Sequence, residues 1–127
     1  MNRGFGREKR LLSPQHFKRV FDSPVERVSG GQILLLIHPN GLNHPRLGLV
    51  VSKKNVRLSV ERNRIKRQLR ESFRCHQTQL GSWDIVAIAR KGIADKENAQ
   101  LAKLFSKLWR RISSIDPAGH PSSHENT

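Results

Sequence analysis

Residues 46–91 read RLGLVVSKKNVRLSVERNRIKRQLRESFRCHQTQLGSWDIVAIARK, and two changes of pattern within them decide the fold. The opening RLGLVV and the closing WDIVAIARK are short runs of branched and aliphatic residues with polar flanks, as strands require. Between them, from about Ser59 to about Gln77, the spacing is helical. Ile65, Leu69 and Phe73 recur every fourth residue, and Gly81 closes the segment. Strand, helix and strand make a βαβ unit, whose crossover is right-handed by the general rule.

Upstream, VERVSGGQILLLIHPNG holds two more aliphatic runs separated by Gly-Gly, with a turn signal at Pro39-Asn40-Gly41. Before it, Ser13 is a good N-cap and Pro14 suits a first helical position. Phe17, Val20 and Phe21 then share one face, and Asp22-Ser23-Pro24 ends that helix. Downstream, Leu101, Leu104, Phe105, Leu108 and Ile112 form an amphipathic face on a helix from about Asn98 to Ile112. The order α-β-β-β-α-β-α predicts an α+β fold, a mixed sheet with helices on one side. At 127 residues the chain fits one domain. We assign it to residues 11–112, between a flexible basic arm (1–10) and a tail (113–127) whose SSIDPAGHPSSHENT lacks apolar pattern and reads as disordered.

Twenty-four Lys and Arg face ten Asp and Glu, giving a formal net charge of +14 and a pI near 11.5. Such a balance attracts polyanions and makes nucleic acid the first partner to consider. A single cysteine, Cys75, excludes an internal disulfide and points to an intracellular, cytoplasmic chain. The longest apolar run, Ile33 to Ile37, falls far short of the roughly 20 residues that span a bilayer, and no signal-peptide stretch follows MNRGFGREKR.

Glu61 to Arg74 carries six cations and two carboxylates in fourteen residues. Arg62, Lys66, Arg70 and Arg74 form one row of i, i+4 neighbours, with Asn63 and Arg67 beside it. Each like-charge contact costs roughly 0.2–0.5 kcal/mol in an isolated helix, so the row opposes folding by about 1 kcal/mol. Ile65, Leu69 and Phe73 anchor the helix and leave these cations facing out, with Glu71 offsetting Arg67. A solvated charged face normally mixes signs; this row suits a phosphate backbone, which neutralises it and releases counterions. Lys53, Lys54 and Arg57 extend the basic region upstream.

Catalytic constellations are absent: no Walker loop, HExxH, CxxC or DxD-type pair occurs. Cys75 and His76 are adjacent, about 100° apart on a helix, and suit chelation poorly. No metal site and no catalytic residue is assigned. Phe17 and Phe21 are either core residues or the lining of a groove where an aromatic face stacks on a single-stranded base.

RLGLVVSKKNVRLSVERNRIKRQLRESFR followed by DIVAIARKGI resembles the protein component of bacterial ribonuclease P, whose hallmark RNR stretch is Arg62-Asn63-Arg64 here. REKRLLSPQHFKRVF at the start fits as well, and the resemblance runs from about Arg7 to Ile112. It implies the protein subunit of a ribonucleoprotein that removes the 5′ leader of precursor tRNA. It further implies that the RNA performs the hydrolysis with bound Mg²⁺ and that the protein holds no metal. Catalytic-RNA binding then falls on Arg62, Asn63, Arg64, Lys66, Arg67, Arg70 and Arg74. Leader binding falls on Phe17, Phe21, Lys53, Lys54 and Arg57, with Arg62 and Asn63 at the cleft's edge. The partners implied are one catalytic RNA and precursor tRNA, with no membrane and no DNA. Also implied is a two-layer α/β sandwich with a left-handed βαβ crossover, resembling domains of a small-subunit ribosomal protein and a translocation factor. One departure is the lack of Tyr: the strand that would offer a further aromatic reads ILLLI.

Competing functions are a structural RNA-binding protein of ribosomal type and a protein-only ribonuclease using His38 or His76 as acid or base. A DNA-binding helix-turn-helix fits less well, because the charged helix lies between strands.

Overall fold

The computed structural model describes residues 12–115. Helix α1 (Pro14–Asp22) leads into strands β1 (Glu26–Gly30), β2 (Ile33–Pro39) and β3 (Arg46–Val50). Helix α2 (Ser59–Leu80), strand β4 (Trp83–Ala89), a 3₁₀ turn (Ile93–Asp95) and helix α3 (Asn98–Ser113) follow. The order is the α-β-β-β-α-β-α expected. The arm at residues 1–10 and residues 116–127 of the tail lie outside the described residues. Residues 114 and 115 still bond helically to Arg111 and Ile112, and Ile115 packs on the core.

The sheet order is β1-β2-β4-β3. Antiparallel pairs join β1 to β2 and β2 to β4, while β3 and β4 run parallel and are connected through α2. Residues of β2 alternate between the two faces. Ile33, Leu35 and Ile37 meet Ile65, Leu69 and Phe73 of α2 and Leu101, Phe105 and Trp109 of α3 in the larger core. Leu36, with Val86 of β4, instead packs on Val20 of α1 and on Leu12 just before it. The expectation of helices on one side therefore holds for α2 and α3, and α1 covers the other face. Both faces being covered explains why ILLLI is continuously apolar rather than alternating.

The i, i+4 row of α2 performs the anchoring expected of it: Ile65, Leu69 and Phe73 are all fully buried. Phe73 meets Trp109 edge to face at 5.9 Å between ring centres, and the Trp109 indole N–H donates to Ser72 Oγ at 2.8 Å. Gly81, at φ +80°, turns the chain out of α2 in a backbone region that side-chain-bearing residues avoid. The only buried charged residue among those described is Asp84, in β4. Its carboxylate takes two bonds from the Arg46 guanidinium, at 2.7 and 2.8 Å, and one from Asn40 Nδ2 at 3.1 Å. This pair ties the parallel strands together beneath α1 and secures the loop between β2 and β3.

Candidate nucleic-acid interface

Phe17 is held by the capped start of α1. Ser13 Oγ accepts from the His16 amide at 3.3 Å, and the Ser13 amide donates to His16 Nδ1 at 3.0 Å, a reciprocal capping box. One turn on, the Phe17 ring lies directly over Gly48 of β3. A Cβ at Gly48 would stand 2.5 Å from Phe17 Cζ, so only glycine lets the ring approach the strand this closely. Phe21 is 46% exposed and stacks beside Phe17, with centroids 6.4 Å apart and planes within 18°. Phe17 is thus the groove-lining member of the pair, and Phe21 its solvent-facing neighbour.

Across β3 from Phe17, Lys66 and Arg70 project from α2. Together with Leu12, Leu47, Gly48 and Leu49 they enclose a groove of about 210 Å³. Strand β3 is a sheet edge, so the groove runs beside backbone that no further strand covers. An aromatic wall, an apolar floor and two cations are the materials for holding a single nucleic-acid strand: stacking on one side, phosphate neutralisation on the other.

The other expected contact residues separate into distinct environments. Arg62 turns back toward the chain, donating to the Val56 and Arg57 carbonyls at 3.0 and 2.9 Å. Arg64 is also turned inward, bonding Glu61 Oε1 at 2.8 Å, Asn98 Oδ1 at 2.7 Å and the Ala94 carbonyl at 3.0 Å. It thereby fastens α2 to the 3₁₀ turn and the start of α3. The expectation that the whole row faces outward fails at Arg62, because loop carbonyls lie within reach of the first turn of α2. Glu71 pairs with Arg74 rather than offsetting Arg67, and Arg74 holds its carboxyl below the usual carboxylate range. Among the described residues, Lys66, Arg67 and Arg70 have no carboxylate partner. Asn63 and Arg67 are exposed on the same helix.

Lys53, Lys54 and Arg57 lie in the segment after β3 and are all exposed. Lys54 and Arg57 line a second depression, about 420 Å³, with Lys91 and the acidic Glu61 and Asp95. It lies beyond the C-terminal ends of the parallel strands. Cys75 is exposed, and His76 Nδ1 lies 2.8 Å from the Ser72 carbonyl, to which it donates. Among the described residues no three His, Cys, Asp or Glu side chains are grouped to hold a metal ion. No described helix is long and apolar enough to cross a membrane.

Reading the sequence missed Asp84 and Arg46, which support the groove from below. The signal was present in WDIVAIA: a carboxylate inside an apolar strand needs a buried partner. His16 feels this pair. Burial and the nearby Arg46 lower its pKa, and Asp84 opposes them. Between that lowered value and the ordinary 6.5, the unfolded chain binds more protons than the folded one. Stability should therefore rise with pH through this window and level off above 6.5. Protonation also removes the Nδ1 acceptor of the capping box. In His16→Gln, which can still complete the box, urea midpoints measured across this window should lose that slope; an unchanged slope would assign it to another group.

The family model described as Ribonuclease P matches residues 5–113. A protein of Stutzerimonas stutzeri named ribonuclease P protein component is 61% identical over 129 residues, covering 100% of this chain and 98% of the relative. One of the same name from Pseudomonas aeruginosa is 56% identical, covering 88% and 83%. Among solved structures, the RNase P protein of Staphylococcus aureus superposes with a TM-score of 0.73 at 30% identity, covering 80% of this chain and 92% of that one. The RNase P protein of Thermotoga maritima gives 0.72 at 28% identity, covering 82% and 97%.

Proposed function

The chain belongs to the ribonuclease P protein family, part of an RNA-processing enzyme complex for tRNA 5′ maturation, and from that premise we propose that it binds the catalytic RNA and the precursor-tRNA leader together. The observation that carries the proposal is the groove beside β3, where Phe17 faces Lys66 and Arg70. The leader enters this groove as a single strand, with a base against Phe17 or Phe21 and phosphates near the two cations. Lys54 and Arg57, with Lys53 beside them, extend the leader path. Catalytic RNA is held by the outward cations of α2: Lys66, Arg67 and Arg70, with Asn63 and Arg74 at the margins. Arg62 and Arg64 shape this surface through their inward bonds.

Substrate carries a leader and product does not, so a leader contact raises affinity for substrate selectively. The cations also reduce repulsion where two RNA chains meet, which favours counterion and Mg²⁺ occupancy in the RNA component. Mg²⁺ bound by that RNA supplies the activated water for hydrolysis. The protein acts in the cytoplasm with one RNA per protein chain.

The deciding experiment incubates precursor tRNA at low Mg²⁺ with buffer, protein, a bacterial ribonuclease P RNA, or both. Leader release by the pair alone supports the proposal. Cleavage by protein alone would reveal a protein active site, and no assistance would favour a ribosomal-type structural role.

Phe17→Ala should weaken binding of leader-bearing tRNA by about 1–3 kcal/mol, the range for loss of one stacked base. Mature tRNA should bind as before. Equal losses for both, in equilibrium titrations of the folded variant, would remove Phe17 from the leader path.

A further inference from the structure

Helix α3 carries four cations and no carboxylate between Asn98 and Ser113. Lys103, Lys107 and Arg110 lie on its outer side and, with the half-buried Leu104, border a groove of about 320 Å³. None of the three belongs to an ion pair among the described residues. At 1.5 Å rise per residue they span about 10 Å along one side of the helix. Arg111 extends the basic band by donating to the Ser29 carbonyl of β1 at 2.8 Å. Leu104 and Leu108 meet Gly30, which places α3 over the β1 edge. The aromatic groove follows β3, at the opposite edge. Three strand spacings of about 4.8 Å separate the edges by roughly 14 Å.

The two surfaces differ in chemistry. Phe105 and Trp109, the aromatics of α3, are both buried, so its outer side has cations and no aromatic ring on which a base could stack. Single strands are held by stacking together with charge, whereas base-paired RNA conceals its bases and is recognised by its backbone and shape. We propose that Lys103, Lys107 and Arg110 form a second RNA-binding surface, which takes the phosphate backbone of a base-paired RNA segment while the β3 groove holds a single strand. This goes beyond the proposed leader site and rests on that reading only for the nature of the polyanion.

The test titrates the full chain with a blunt RNA duplex and, separately, with an unstructured RNA oligonucleotide, each over a range of salt. Lys103→Gln/Lys107→Gln/Arg110→Gln alters side chains outside the core and leaves the core intact. It should weaken duplex binding at least about tenfold and lower the duplex salt slope by roughly 2–3, with oligonucleotide affinity unchanged. Lys107→Arg should retain duplex affinity. Unaltered duplex binding by the triple variant, or an equal loss for both RNAs, overturns the proposal. The leader-release assay is separate: a wild-type protein that binds duplex through α3 but never assists cleavage would refute the proposed function and leave this surface standing.

Discussion

Asp84→Ala should destabilise the fold by about 3–5 kcal/mol, the range for breaking a buried ion pair from one side. The loss exceeds that of a surface bridge because Arg46, whose side chain is only 13% exposed, would keep its charge with no counter-ion. Asn40 would also lose the acceptor that helps fix the β2–β3 loop. Since Arg46 and Asp84 are register partners of β3 and β4, the damage should concentrate on the parallel pairing and the floor beneath α1. Urea denaturation gives the size of the effect, and Arg46→Met/Asp84→Leu gives its cause. Removing both charges should recover much of the loss, because no uncompensated ion then remains buried. A loss below about 1 kcal/mol in Asp84→Ala would mean that water reaches Arg46 and that the pair is not the clamp its geometry suggests.

The second large effect is on RNA. Lys66→Gln/Arg70→Gln should make the dependence of log affinity on log salt shallower by about 1.4–1.8, since each phosphate no longer neutralised removes about 0.7–0.9 from the slope. Affinity at moderate salt should fall by about tenfold or more, with the folded state retained. Arg64→Gln should behave in the opposite way. Its guanidinium is already bonded to Glu61, Asn98 and Ala94, so the substitution should lower the melting temperature and leave the salt slope of the folded protein nearly unchanged. If Arg64→Gln shifts the slope as far as the Lys66/Arg70 variant does, Arg64 leaves its internal partners when RNA binds.

These contrasts mark where sequence reading was sufficient. The core row Ile65, Leu69 and Phe73 was legible because helical period alone puts three apolar residues on one side. The strands on either side of α2 were legible because branched residues cluster between turn signals. The face chosen by α1 was not read, although ILLLI held the clue: a strand apolar at every position has no solvent side to offer. The direction of Arg62 and Arg64 depends on carbonyls in a loop and on a 3₁₀ turn thirty residues away, which periodicity cannot place. The Arg46–Asp84 pair spans 38 residues and closes only when the parallel strands meet. Resemblance identified the family and its general roles; only the folded geometry separated outward cations from those consumed by the scaffold.

The open sides of β1 and β3 also bear on how the free protein behaves in solution. Unpaired strand edges invite a second copy to continue the sheet, the first step toward insoluble assemblies. Here each edge strand is only five residues long. Lys66 and Arg70 flank β3, while Arg27 and Arg111 lie at β1. Two copies approaching edge to edge would bring cation against cation before any backbone bond could form. Under the proposed function, the charge that recruits RNA would therefore also oppose polymerisation of the unassembled protein, and an RNA seated in the β3 groove would screen that repulsion while physically occupying the edge it protected.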